Sequence, residues 1–159
     1  MQKLFRLAAV SISIAALAAC ATTPAPTTVA GTIAGSPQLT TLNKLVNDSR
    51  LAETLAGPGP FTVFAPTDDA FKSVPAATLA TLGSDKEKLK AVLMYHVVPG
   101  KVLAADVANG PAKTSQGANV ALAKSGTFVT VDDALVTSAD VTATNGVVHI
   151  VDRVLMPPR

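Results

Sequence analysis

The chain has a single cysteine, Cys20, one tyrosine, no tryptophan and two histidines among 159 residues, and only 15% of it is charged. One thiol excludes a disulfide scaffold. His96 and His149 stand too far apart for a local metal motif, and no His-Glu-x-x-His run occurs. A Gly-x-Ser-x-Gly elbow and a phosphate-cradling glycine loop are also missing, so the common signatures of hydrolase and nucleotide sites are absent and no cofactor is implied. Charge of one sign is not in excess either. Setting Lys3 and Arg6 aside from the 13 basic residues leaves 11 against 11 acidic ones. Without a basic cluster, the counterion release on which nucleic-acid binding depends has no source, and nucleic acid is excluded as a partner. Finally, no apolar run reaches the ~20 residues of a membrane-spanning helix.

The run that is present, Leu7 to Ala19, has 13 residues and follows Lys3 and Arg6. A short apolar segment behind positive charge, ending in small residues, is the pattern of a secretory signal peptide over residues 1–19. Its end, Leu17-Ala18-Ala19-Cys20, resembles the lipobox of bacterial lipoproteins, in which the chain is cut before the cysteine and the cysteine is diacylated. Lipid attachment at Cys20 gives the lone thiol of an exported protein a chemical purpose; the alternative is an ordinary signal peptide with an incidental cysteine. Acyl chains contribute ~0.8 kcal/mol per buried methylene, so several of them anchor a protein to a membrane for good. Ala21, rather than Asp, follows the cysteine, which resembles the outer-membrane sorting pattern of Gram-negative lipoproteins. Residues 21–36 are Thr, Pro, Ala and Gly with little else and no charge. They read as a disordered tether with a reach of roughly 20 to 50 Å. The division is therefore signal peptide 1–19, lipidated cysteine and tether 20–36, and one domain over 37–159, a length that encloses a single core.

Within the domain, Ser36-Pro37 predicts a helix start, with Leu39, Leu42, Leu45 and Val46 at helical spacing. A second short segment, Leu51 to Ala56, is stopped by Gly57-Pro58-Gly59-Pro60. Phe61, Val63 and Ala65 alternate with Thr62 and Phe64 as in a buried strand that Pro66 ends. Thr67 then serves as N-cap, placing Asp68 and Asp69 in the first helical turn, where negative charge complements the free amides. Successive helical residues diverge by about 100°, so these two acids do not converge on one substrate atom. Ser84-x-x-Glu87 predicts a capping box, followed by Leu89, Val92, Leu93 and His96 on one face. His96 on that face is expected to be a hydrogen-bonded core histidine, with Asp68 or the backbone near Thr67 as its partner. Tyr95, about 100° around the helix, is expected in a more accessible place and is the better ligand contact. From Lys101 onward, Val and Thr alternate with turn residues. Asn145-Gly146 predicts a terminal hairpin with a type I′ turn.

FTVFAPTDDAF at 61–71, Tyr95-His96 before Val97-Val98, and NGVVHIVDRVLMP at 145–157 together resemble the signature blocks of the fasciclin domain, in order and across the whole domain. The resemblance implies an α+β fold: a wedge or sandwich of about seven strands with several packed helices. It also implies a surface-binding module of the cell envelope, acting in adhesion or matrix association and without enzymatic activity. In animal relatives, integrin recognition is associated with the Tyr-His element and an Asp-Ile pair. The matching positions here are Tyr95-His96 and Asp140-Val141, the valine being a departure. The expected protein is exported and lipid-anchored, its partners being the membrane and an unidentified surface protein, matrix protein or polysaccharide. Two other classes stay open at this level: a carrier of a small apolar molecule or lipid, which requires a concave apolar pocket, and a hydrolase using His96.

Overall fold

Seven strands and six helices form among residues 27–158, which are those that the computed structural model describes. The predicted signal peptide, Cys20 and the start of the tether lie outside them. The helices are α1 (Val29–Ala34), α2 (Thr40–Asp48), α3 (Leu51–Ala56), α4 (Asp68–Lys72), α5 (Ala76–Ser84) and α6 (Lys86–Tyr95). The strands are β1 (Phe61–Pro66), β2 (Val97–Pro99), β3 (Gly110–Lys113), β4 (Asn119–Ser125), β5 (Phe128–Val131), β6 (Ala134–Ala143) and β7 (Gly146–Val151).

One sheet contains all seven strands, in the order β2-β1-β7-β6-β5-β4-β3. Only β1 and β7 pair in parallel, Phe64 opposite His149. The two ends of the sheet approach each other, since Ser115 N, just past β3, donates to Val97 O of β2 at 2.7 Å. The result is a nearly closed wedge with the helices against one side.

The central pair separates two cores. Val63 and Ala65 of β1 and Val148 and Ile150 of β7 face the helices, joining Leu42, Leu55, Leu89 and Leu93. Phe64 and Val151 face into the wedge, with Val120, Leu122, Val129 and Val131 from β4 and β5. Strands covered on both faces lose the apolar-polar alternation of a half-exposed strand, and all six residues of β7 are buried. β4 covers only one face and alternates.

Several local starts differ from the expected ones. The tether ends early, because α1 forms within residues 21–36, its N-cap Thr28 accepting from Gly31 N at 3.2 Å. Val29 and Ile33 are fully buried in the helix-side core, and burying an aliphatic side chain is worth about 1.5–3 kcal/mol. Such burial stabilises a helix whose Gly and β-branched residues disfavour it in isolation. Ser36 closes α1 rather than opening α2, its hydroxyl donating to Thr32 O at 2.8 Å. The start of α6 is capped one residue later than Ser84, by Asp85, whose Oδ1 accepts from Glu87 N and Lys88 N at 3.1 Å. Ser84 is the last residue of α5, a helix the sequence reading does not contain.

Candidate functional site: two histidines and the segments they fasten

Thr67 caps α4, its hydroxyl accepting from Ala70 N at 3.2 Å. The two acids behind it then part company. Asp68 reaches across to α2, where Oδ1 accepts from Thr41 N at 2.7 Å and Oδ2 from the Thr40 hydroxyl at 2.6 Å. In that way a carboxylate from elsewhere in the chain satisfies the free N-terminal amides of α2. The Thr40 hydroxyl, with the Thr41 amide, holds the Asp68 carboxyl below the usual carboxylate range, against the opposing effect of desolvation. Asp69 instead pairs with exposed Lys72 at 2.7 Å. No acid pair converges here.

His96, the C-cap of α6, is buried. Its Nδ1 lies 2.8 Å from Val92 O and its Nε2 accepts from Leu155 N at 2.9 Å. An amide N–H can donate only to an unprotonated nitrogen, so the ring is the neutral Nδ1–H tautomer and Nδ1 donates to Val92 O. Burial lowers its pKa to about 4, the Val92 carbonyl acting weakly the other way. The expected partners, Asp68 or the backbone near Thr67, are therefore incorrect. Asp68 is engaged with α2, and His96 fastens the segment after β7 through Leu155.

Tyr95 is not accessible, a second correction, being only 3% exposed. The expectation assumed one covered side for α6, whereas the end of this helix lies between the two cores: Tyr95 joins the wedge core while Leu93 belongs to the helix-side one. Its hydroxyl is 2.9 Å from Asp132 Oδ2 and 3.0 Å from Asn119 O. Burial first, and then the Asp132 carboxylate, push the phenol up to about 12. Asp132 sits in the left-handed region at φ 50° and accepts Ala121 N at 2.7 Å through its other oxygen, so Tyr95 ties α6 to the β5–β6 turn.

Asp140 and Val141 lie at an irregularity of β6, where the register with β7 shifts between Ser138 and Val141. Asp140, at φ 57°, is exposed, and Val141 packs partly against the helix-side core. Asp140 Oδ1 accepts from Ala104 N at 2.8 Å, and its backbone N donates to His149 Nδ1 at 3.2 Å. Buried His149 then donates from Nε2 to Val102 O at 2.8 Å and stacks on Phe64 at 5.6 Å between ring centroids. It is thus the opposite tautomer to His96 and performs the same task, joining a loop to a strand. The sequence reading gave His149 no role; its place in an otherwise apolar strand was the available signal. Of the three candidate contacts named from sequence, Tyr95 and Asp140 have separate sets of hydrogen-bond partners, and Val141 adjoins Asp140 in the chain.

The β6–β7 hairpin forms as expected, but its turn is not the type I′ turn predicted at Asn145-Gly146. The turn residues are Thr144 and Asn145, between the paired Ala143 and Gly146, and none of the three from Thr144 to Gly146 has positive φ. Asn145 is held by its side chain instead. Oδ1 accepts from Val29 N at 2.8 Å, and Nδ2 donates to Leu55 O at 2.7 Å and Gly57 O at 2.8 Å. Gly146 is required for space, since a Cβ there would collide with Phe61 O of the neighbouring strand.

The enclosed cavity between α2, α3, α6 and β1 is apolar and about 40 Å³ in volume. Larger depressions are open to solvent. Two of them, about 620 and 230 Å³, flank Arg153, Val154 and Met156. A third, about 630 Å³ and mainly apolar, lies between α5, α6 and Pro157-Pro158.

A wedge-shaped α+β scaffold whose histidines and tyrosine serve as internal ties defines the class. Comparison with family models matches residues 37–157 to the family described as Fasciclin domain, and the chain belongs to that family. Among curated proteins it is 43% identical over 140 residues to "Protein sll1483" of Synechocystis, covering 87% of this chain and 78% of that one. It is 38% identical to "Immunogenic protein MPT70" of Mycobacterium tuberculosis, covering 82% and 69%. To "Cell surface glycolipoprotein MPB83" of Mycobacterium bovis it is 37% identical, covering 82% and 60%. A solved structure of a FAS1 domain pair from the insect cell adhesion molecule fasciclin I superimposes with a TM-score of 0.65 at 20% identity, over 82% of this chain and 51% of that one. That likeness concerns the fold.

Proposed function

We propose that this chain is an exported, lipid-anchored protein of the bacterial envelope whose domain binds another surface component, in adhesion or in association with a surface protein or polysaccharide. The observation that carries the reading is the 37% identity to a relative named as a cell-surface glycolipoprotein, taken with Leu17-Ala18-Ala19-Cys20 at the end of a signal-like segment. The internal chemistry agrees with a binding role, since His96 and His149 have both ring nitrogens engaged by backbone groups. Neither presents a free basic nitrogen to a substrate. The apolar cavity of about 40 Å³ is far below the ~300 Å³ at which ligand pockets begin, and the mainly apolar depression of about 630 Å³ between α5, α6 and Pro157-Pro158, though large enough, is open to solvent rather than enclosed. Of the three contacts named from sequence, Asp140 is the exposed one, and its second carboxylate oxygen has no partner among the described residues.

Two measurements test this. Cys20→Ser should abolish incorporation of labelled fatty acid and release the protein from the membrane fraction; unchanged labelling refutes the anchor. A pull-down of envelope proteins and polysaccharides with the domain should recover a partner whose binding is weakened by Asp140→Ala. Recovery unaffected by that substitution removes Asp140 from the contact surface.

A further inference from the structure

Thr27 and Val29 fasten the start of the described chain to one end of the sheet. Thr144 N donates to Thr27 O at 2.9 Å, and Val29 N donates to Asn145 Oδ1 at 2.8 Å. Cys20 precedes Thr27 by seven Cα-to-Cα steps. Seven steps reach at most about 25 Å, whatever their conformation. The tether is thus much shorter than residues 21–36 suggest when all of them are read as free.

The strands that begin or end at this turn run away from it. Asp132-Asp133 precede β6 and Asp152-Arg153 follow β7, with Asp152 N donating to Leu135 O at 3.1 Å, so both pairs stand at the opposite end. Extended chain from Asn145 to Asp152 separates the two ends by about 23 Å. We propose that the end bearing Pro58, Gly59, Pro60, Lys101 and Thr144 lies against the lipid headgroups, and that the end bearing Asp133, Arg153 and Met156 faces outward. This orientation rests on the lipidation of Cys20 proposed above.

Reach and charge both select it. The far end meets the membrane only if the domain inverts on a leash drawn close to full extension. A shallow depression of about 440 Å³ at the near end is lined by Pro58, Gly59, Pro60, Lys101, Thr144 and Asn145 among others, with no carboxylate in its lining. Lys101 there is exposed and suits headgroup phosphates. The far end carries exposed Asp132, Asp133 and Asp152 beside Arg153, and anionic lipid repels such a surface. The far end also holds the open depressions around Met156, an apolar side chain that is 41% exposed.

The test uses the chain from Cys20 onward, which retains every described residue. Its only thiol, Cys20, is coupled to maleimide headgroups in phosphatidylcholine–phosphatidylglycerol nanodiscs that also carry gadolinium-chelated lipid. Coupling by this route fixes the attachment point whether or not cells acylate Cys20, so a failure of orientation and a failure of lipidation are read separately. The paramagnetic effect falls with the sixth power of distance. For ends about 23 Å apart, relaxation of the Gly59, Lys101 and Thr144 amides should exceed that of Asp133 and Arg153 by at least about tenfold. Equal relaxation at the two ends, or stronger relaxation at Asp133, overturns the orientation. Loss of acyl labelling would refute only the anchor.

Discussion

Acidification should unload the domain through His96, and the size of the effect follows from its environment. The folded ring titrates at about 4 because burial disfavours the imidazolium, whereas an unfolded histidine titrates near 6.5. Between those values the unfolded chain binds the proton and the folded one does not. The stability that neutral His96 allows is therefore fully present above about pH 6.5, falls as the pH drops, and stops falling below about 4. The whole window is worth about 3 kcal/mol, and the part between pH 7 and pH 5 about 2 kcal/mol. Geometry gives the same direction, because a proton on Nε2 would point at the Leu155 N–H that this nitrogen now accepts. The assay is urea unfolding of the domain at pH 7 and pH 5, for the natural sequence and for His96→Gln. The variant is less stable throughout, since its amide cannot reproduce both ring contacts, but that offset does not depend on pH. All other residues are the same in the two proteins, so their contributions cancel in the comparison. The natural domain should lose about 2 kcal/mol more than the variant over this interval. Equal losses would show that His96 is not the buried acceptor described here.

Three further outcomes are expected. Tyr95→Phe removes the hydroxyl from Asp132 and Asn119 while keeping the ring, and should cost about 1–3 kcal/mol in a denaturant melt; an unchanged melt would mean that the phenol is solvated. Asn145→Ala deletes the bonds to Val29, Leu55 and Gly57. Amide exchange in Val29–Ala34 should then accelerate about fivefold, more than in β7, since losing the one bond to Val29 is worth about 1 kcal/mol. Uniform acceleration would mean that α1 is not separately latched by this side chain. Asp68→Ala should lower stability by about 1–2 kcal/mol by uncapping α2, and α2 amides should show it in hydrogen exchange before those of α4.

What the sequence by itself determined is what depends on near neighbours. Thr67 before two acids marks a helix start because a hydroxyl and the amide three residues on are close in any helix. The alternation from Phe61 to Ala65 and the turn-rich Val/Thr half likewise report strand, whatever they pack on. The three signature blocks were legible in order, and with them the α+β wedge. Only the tertiary structure decided where polar groups end up. Asp68 turns to α2, and His96 to Leu155, through contacts spanning 27 and 59 residues of chain, a separation at which residue spacing carries no information. Tyr95 was read as accessible because a helix usually buries one face; here its end enters between two cores, and both sides are covered. Gly146 was read as a residue of positive φ, yet its task is to admit the β1 backbone. The segment Val29–Ala34, with no charge and poor helix formers, looked like free chain. Its order comes from the helix-side core that buries Val29 and Ile33 and from Asn145, 116 residues beyond Val29, and these come together only in the folded chain.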